Sequence, residues 1–305
     1  MARAVWAWYF LAGILIPAQG GEAPEPTSVR PETLSQFYEY IRKSEARTER
    51  EIRNPSLFLW SAQSPERLAR VRKGEVVVEP ASSSGQIEIT GGLIHDWTGA
   101  VFIPEKTLAQ VLTLVQDYDS HKRYYQPEVI DSRILSRSGN EYRVYLRLLK
   151  KKVLTVVLNT EHHVRYQPIG ARKCYSRSYS TRIAEVENPG KPGEKERPPG
   201  RDHGFLWRLN SYWRFEEKDG GVFVECQAVS LTRDIPPGLG WLINPIVGSL
   251  PRESLVNTLR ATRDALQQAP RSAQELNLHP QTASRVAGSN RAIVQLHGPP
   301  RDRQP

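Results

Sequence analysis

Paired histidines and a row of alternating serines are the residues of this sequence best suited to acid–base chemistry. His162 and His163 stand side by side, and Ser176, Ser178 and Ser180 alternate with larger residues further along the chain. A histidine next to a serine in a nonpolar pocket could act as a general base. A metal ion is not expected at the histidines, because adjacent strand residues point to opposite faces and one ion cannot easily use both.

The sequence contains none of the motifs that mark the common catalytic sites. It has no GxSxG nucleophile elbow, HExxH zinc motif, CxxC pair, P-loop or GxGxxG fingerprint. We therefore expect no cofactor and no bound metal. The candidate catalytic residue is His162, for which a hydrogen-bonded pocket histidine is the favoured interpretation. A noncatalytic protein is favoured over an enzyme for the same reason.

Helical and strand-like patterns alternate along the chain in an order that predicts an α+β protein. Apolar residues recur every three or four positions in four segments, which predicts helices over 32–53, 64–72, 104–118 and 239–266. Strand-like segments separated by turns such as Ser138-Gly139-Asn140 and Asp219-Gly220-Gly221 predict an antiparallel meander. The predicted strands span 76–78, 86–90, 93–102, 130–136, 142–149, 153–166, 173–186, 206–217 and 222–232.

Side-chain alternation along these strands predicts a hollow inner face. Small residues such as Cys226 and Ala228 would leave empty volume that a close-packed core avoids and a ligand could fill. In the strand 173–186 the pattern leaves the register open, and the serines are assigned inward. In the strand 206–217 alternation assigns Trp207 inward together with Leu209, Ser211 and Trp213. The predicted cavity residues are Leu146, Leu148, Val156, Leu158, Thr160, His162, Ser178, Ser180, Leu209, Ser211, Trp213, Val224, Cys226, Ala228, Trp241 and Leu242.

Charged residues on the opposite face have two interpretations. The favoured one is a solvated ladder of cross-strand pairs. In the other, the register is reversed and the charges bind a polar ligand group inside. Three outer aromatic residues could also be covered by the helix at 32–53. The charged residues are Arg147, Glu161, Arg177, Arg214 and Glu225, and the aromatic residues are Tyr145, Tyr212 and Phe223.

The two cysteines are predicted to be free thiols. In a simple meander, the strands that carry Cys174 and Cys226 are separated by the strand 206–217. Two interstrand spacings amount to roughly 10 Å, which is beyond the reach of a disulfide bond.

The ends of the chain are predicted to lie outside the folded domain. Residues 1–20 show the charged, apolar and small-residue regions of a signal peptide, followed by a Pro/Glu-rich linker over 21–31. The expected location is therefore exported, either periplasmic or secreted, with an uncleaved N-terminal membrane anchor as the alternative. Residues 269–305 lack periodicity and are predicted to be disordered.

The net charge of +9 does not predict a nucleic-acid site. Arginine and lysine are scattered among acidic residues, as in the segment 42–50, and form no dedicated basic patch. We therefore expect no nucleic-acid partner, and the sequence leaves the oligomeric state open.

Local sequence at both ends of the predicted sheet resembles the START-like (SRPBCC, helix-grip) superfamily. The resemblance covers about residues 85–268. The N-terminal helical segment 32–74 and the Pro/Gly-rich loop 188–200, which is predicted to be mobile, depart from it. The similar stretches are Phe102-Ile103-Pro104, Leu108 to Leu112, Asp117-Tyr118-Asp119, Tyr124 to Val129, Asp234-Ile235-Pro236 and Leu250-Pro251.

The resemblance implies a curved antiparallel sheet wrapped around a long C-terminal helix, with the START-like domain over 75–268. It also implies a cavity for a lipid, sterol, quinone or polyketide-like molecule, with peripheral membrane contact as a possibility. Members of the superfamily include carriers and enzymes, so the fold does not settle activity. The alternatives are an aromatase/cyclase- or hydrolase-type enzyme that uses the same cavity, and a protein-interaction module whose pocket is filled by its own side chains.

Overall fold

The computed structural model describes residues 27–151, 155–234 and 249–268. All of these residues except Gln267 and Gln268 belong to one compact unit, Met1–Leu266. The predicted signal peptide, the predicted tail and the predicted cavity residues Trp241 and Leu242 lie outside the described residues and stay predictions. The last part of the predicted linker is held to the fold, because the backbone N–H of Thr27 donates to the carbonyl of Asp202 over 2.7 Å.

The described residues contain five α-helices: α1 (Pro31–Arg53), α2 (Pro65–Arg72), α3 (Leu108–Gln116), α4 (His121–Tyr124) and α5 (Leu250–Gln268). Two short 3₁₀ helices span Ser61–Gln63 and Tyr118–Ser120. Proline opens α1 and α2, where its fixed φ suits the first turn. A capping box between Thr107 and Gln110 begins α3. Among the described residues, no helix combines the length and the apolar character that crossing a bilayer requires.

Ten strands pair in a single antiparallel sheet within the described residues. Their order across the sheet is β1-β3-β10-β9-β7-β6-β5-β4, with β2 beside β3 and β8 beside β7. The predicted meander is confirmed from β4 to β10, and β3 pairs with β10 to bring the two ends of the domain together. The strands are β1 (Val77–Pro80), β2 (Gln86–Ile89), β3 (Gly92–Pro104), β4 (Val129–Ser138), β5 (Glu141–Lys151), β6 (Thr155–Pro168), β7 (Lys173–Glu187), β8 (Lys195–Glu196), β9 (Arg208–Lys218) and β10 (Gly221–Arg233).

The curved inner face of the sheet packs against α5 and α3. Leu255 and Leu259 of α5 are buried in one cluster with Val101 of β3 and Val111 of α3. Gly99 of β3 permits the close approach, because a Cβ at this position would lie 2.7 Å from Cδ1 of Leu259. The predicted α+β helix-grip fold, a curved sheet wrapped around a C-terminal helix, is confirmed.

The N-terminal helical segment covers the outer face of the same sheet. Phe37 and Ile41 of α1 are buried against Tyr212 of β9. The connection from α1 to α2 places Phe58 beside Phe223 of β10. The predicted cover by the helix at 32–53 is therefore confirmed for Tyr212, while Phe223 is covered by the connection that follows this helix. The ring centroid of Tyr145 instead lies 3.9 Å from the guanidinium carbon of Arg133.

The prediction of a solvated charge ladder on the outer face is wrong for Arg214 and Glu225. Both are buried, and the cover layer supplies partners for them. The guanidinium of Arg214 donates to Glu51 of α1 over 2.5 Å, and the carboxylate of Glu225 accepts the backbone N–H groups of Trp60 and Ser61 over 2.7 and 2.9 Å. Burial raises the pKa of Glu225, although these N–H groups and Arg214 oppose the shift.

The three remaining charged residues of the predicted ladder also differ from the expected pattern. Two of them pair with residues outside the predicted ladder, and the third forms a long cross-strand contact. Arg177 pairs with Glu45 of α1 over 2.9 Å, and Arg147 pairs with Glu194 over the same distance. Glu161 lies 3.7 Å from Arg143 of the adjacent strand. The alternative of a reversed register is wrong as well, since these side chains lie on the outer face.

The cysteine prediction is confirmed. Cys174 on β7 and Cys226 on β10 are both buried free thiols, and β9 runs between their strands. Burial raises the pKa of Cys174 to about 11. Both sulfurs therefore stay protonated at neutral pH.

One local expectation differs from the structure. Trp207, assigned inward by alternation, lies just before β9 and packs in the outer cluster of Phe37, because the strand begins one residue later.

The loop 188–200 contains β8, which pairs with β7, and the N–H of Arg197 donates to the carbonyl of Glu185 over 2.8 Å. The mobility of this loop stays a prediction.

The substitution Gly99→Ala should destabilise the protein by about 1 to 3 kcal/mol, because the new methyl group would overlap Leu259 and force α5 away from the sheet. Urea denaturation measures the cost. In a Leu259→Ala background, which removes the overlap with α5 and leaves that with Cγ2 of Val78 at 2.8 Å, Gly99→Ala should cost less. An equal cost in both backgrounds would contradict this account of the contact.

Candidate ligand-binding cavity

A cavity of about 310 Å³ lies between the inner face of the sheet and α5. Its walls come from β5, β6, β7, β9 and β10, and Leu250, Leu255 and Ala261 of α5 close one side. Pockets that hold small molecules have volumes of about 300 to 1,000 Å³. The cavity can therefore hold a small ligand.

The structure places most of the predicted cavity residues on this wall. Those that line it are Leu146, Leu148, Val156, Leu158, His162, Ser178, Leu209, Ser211, Trp213, Cys226 and Ala228. Three others lie beside the wall. The hydroxyl of Thr160 donates to the carbonyl of Leu146 over 3.0 Å, that of Ser180 accepts the N–H of Leu209 over 3.0 Å, and Val224 is buried in the core cluster of α5.

Three small side chains in adjacent strands produce the empty volume. Ser178 of β7 lies opposite Ser211 of β9, which in turn lies opposite Ala228 of β10. Because cross-strand partners share one face, these residues form a continuous row of short side chains beneath α5. Longer residues in this row would fill the space with protein atoms.

His162 is the buried polar residue at the centre of the β6 wall. Its Nε2 lies 3.0 Å from the hydroxyl of Thr160, which donates its own proton to the carbonyl of Leu146. The Thr160 hydroxyl must therefore accept from Nε2–H, which leaves Nδ1 as an acceptor. Burial lowers the pKa of His162 to about 4, so its ring is neutral at neutral pH.

An aromatic cluster that sequence reasoning missed closes the cavity beside α3. The hydroxyls of Tyr118 and Tyr166 lie 2.8 Å apart, and His121 Nε2 lies 3.1 Å from the carbonyl of Val115. The hydroxyl of Tyr125 lies 3.1 Å from that of Thr262 on α5, and burial raises its pKa to about 12. The density of tyrosines around 118–125 was the available signal, but nothing in one sequence brings them to β6.

A polar cluster at the rim links the sheet to α5. The Lys150 ammonium contacts the Glu128 carboxylate and donates to the Ser254 hydroxyl over 2.6 Å, and Asn257 donates to Glu128 over 2.8 Å. Burial lowers the pKa of Lys150, while Glu128 opposes the shift. These residues join β5, the start of β4 and α5, so ion pairing holds this edge of the cavity together.

Within the described residues, His162 is not placed to activate a serine. His162 is bonded to Thr160, and no hydrogen bond joins it to a serine within the described residues. A base with a pKa near 4 is also a weak proton acceptor at neutral pH. In the part of the chain that the structure describes, no group of three His, Cys, Asp or Glu residues could hold a metal ion.

Neither a protein-family model nor a curated protein sequence matches this chain. Solved structures do match, and several of them are START-related proteins of the kind that the sequence resemblance named. A STAR-related lipid transfer protein from Xanthomonas axonopodis is 18% identical, with a TM-score of 0.42 over 60% of this chain and 99% of that one.

Two further matches have similar scores. Human STARD10 is 13% identical, with a TM-score of 0.41 over 71% of this chain and 84% of that one. The Zhui aromatase/cyclase from Streptomyces is 12% identical, with a TM-score of 0.39 over 59% and 98%. Likeness at this level does not carry a ligand or an activity from one protein to another.

The substitution His162→Gln should flatten the loss of stability on acidification. The unfolded ring has a pKa of about 6.5 and the folded ring one of about 4, so the unfolded state binds the proton first. The contribution of His162 to the free energy of unfolding is therefore intact above about pH 6.5 and falls by about 3 kcal/mol towards pH 4. Urea denaturation over this range measures the slope.

The neighbouring histidine provides a matched control. His163 lies on the outer face, where solvent reaches its ring, so His163→Gln should change the slope less than His162→Gln. His95 and His121, whose pKa values burial also lowers to about 4, remain in both variants and contribute equally. Parallel stability curves for the parent and His162→Gln would show that the ring is not buried in its neutral form.

Proposed function

We propose that this protein binds and carries a hydrophobic small molecule in the cavity between the sheet and α5. The observation that carries the proposal is an interior space lined largely by aliphatic and aromatic side chains, with Leu146, Leu158 and Trp213 among them. Apolar surface that is removed from water on binding provides the driving force. Lipids, sterols, quinones and polyketide-like molecules all have the required chemistry.

Carriage is favoured over catalysis on the chemistry of the wall. The similar structures include a lipid transfer protein and an aromatase/cyclase, and their likeness does not decide between these activities. The residues of this chain do favour one of them. His162 is neutral and hydrogen-bonded to Thr160, and the hydroxyls of the tyrosines beside α3 bond one another. These polar groups are therefore already satisfied by protein partners, which favours carriage over proton transfer to a ligand.

Native mass spectrometry of the purified full-length chain tests the proposal directly. The expected result is a mass above that of the polypeptide, which organic extraction resolves into a discrete hydrophobic molecule. Titration with the neutral dye Nile red should show saturable binding that apolar molecules reverse. A clean apo mass together with the absence of saturable dye binding would refute the proposal.

The substitution Ala228→Phe should reduce binding of Nile red by roughly tenfold or more, because a phenyl group on β10 would occupy the space above the small-residue row. Fluorescence titration measures the affinity. The matched control is Ala228→Ser, which keeps the side chain small and should leave the affinity close to that of the parent. Equal affinities for the two variants would place the bound dye elsewhere on the protein.

A further inference from the structure

The β7 wall of the cavity contains a hydroxyl group that has no partner. Ser176 lines the cavity and is 1% exposed, and its Oγ makes no hydrogen bond within the part of the chain that the structure describes. Buried hydroxyl groups in proteins are almost always hydrogen-bonded, because burial removes their hydrogen bonds to water and a missing replacement costs free energy. Rotation about the Cα–Cβ bond can turn this hydroxyl towards the cavity, so the missing partner points to a molecule bound there.

Two more hydroxyl groups lie next to Ser176 on the same face. Ser178 follows two residues later on β7, and Ser211 lies directly opposite it on β9. Both line the cavity, and among the described residues neither hydroxyl makes a hydrogen bond. The three serines form a compact group of hydroxyls on this side of the cavity, which we call the serine patch.

The serine patch and its surroundings provide both donors and acceptors. Each serine hydroxyl can donate one hydrogen bond and accept others. His162, one strand away on β6, has its Nε2–H engaged by Thr160, so that Nδ1 can only accept. A ligand group that both donates and accepts satisfies this set, and a hydroxyl is the simplest such group.

Charge distribution excludes an ionised headgroup at the serine patch. Among the described residues that line the cavity, Lys150 is the one lysine or arginine, and it is paired with Glu128 at the rim. An anion at the serines would lose its hydration without a neighbouring cation, which costs far more than burying a neutral hydroxyl.

We propose that the ligand of this cavity is an apolar molecule with a neutral hydroxyl group, which the serine patch of Ser176, Ser178 and Ser211 binds in preference to a carboxylate or a phosphate. This inference rests on the proposed function, since it specifies the ligand class of the same cavity. It assigns specificity to three residues and leaves the apolar wall to provide most of the affinity.

Displacement of Nile red by three probes of equal chain length tests the inference. The probes are 1-dodecanol, dodecanoate and dodecyl phosphate, compared at about pH 8, where both acids are ionised. Dodecanol should displace the dye at roughly tenfold lower concentration than either anion. The variant Ser176→Ala should weaken dodecanol about fivefold and leave dodecanoate nearly unchanged.

Two further variants separate recognition from a loss of folding. The triple variant Ser176→Ala, Ser178→Ala and Ser211→Ala should bind Nile red but lose the preference for dodecanol. Ser132→Ala is the matched control, because this serine is equally buried but lies outside the cavity and accepts the N–H of Lys122 over 2.9 Å. It should lower stability and keep the preference.

The outcomes distinguish this inference from the proposed function. Equal displacement by alcohol and anions, or an unchanged preference in the triple variant, overturns the serine patch as a specificity site while saturable dye binding still supports a hydrophobic cavity. A parent protein that binds neither the dye nor any of the probes overturns the proposed function and this inference with it.

Discussion

Burial of both faces of one sheet is the constraint on which the rest of the structure depends. Nearly every residue of β3 and β10 is buried, although alternate side chains of each strand point to opposite faces. The inner side chains pack against α5, and the outer ones need a second layer. That layer is the N-terminal helical segment. It must also provide hydrogen-bond partners for the polar side chains on the outer face of the sheet. Glu225 shows the result, since two backbone N–H groups from the connection between α1 and α2 bind its carboxylate.

The outer layer also explains how the inner face can contain a cavity. Empty volume forfeits dispersion contacts and lowers stability. The clusters around Phe37 and Phe58 on the outer face add apolar burial to that of the inner cluster around Leu259, which helps the domain to tolerate the cavity. On the inner face, α5 approaches closely at Gly99 and stays away from the row of small residues that ends at Ala228. The inner face of the sheet is therefore tightly packed at Gly99 and hollow at the small-residue row, and the side-chain size at these positions sets the difference.

Alternation predicted much of this arrangement, because the period of a strand is local. It assigned Leu146, Val156 and Ala228 inward and separated Cys174 from Cys226 by a strand. The partners of the outer charges could not be predicted in this way. Glu225 and Trp60 are 165 positions apart, and one sequence holds no signal for that contact. Local reasoning also failed where the extended structure begins, since inward assignment of Trp207 assumed that β9 starts earlier than it does.

The proposal of a carrier rather than an enzyme depends on how the polar groups of the cavity are held. In a site built for proton transfer, one group is kept near its working pKa and within reach of a reacting atom. Here burial takes the histidine away from that range, and its donor is used to bond a neighbouring threonine. The tyrosine hydroxyls bond each other, and the rim lysine is paired with a carboxylate. What remains available on the wall is neutral, which supports the proposal that the cavity recognises a molecule by shape and by hydroxyl contacts rather than by charge.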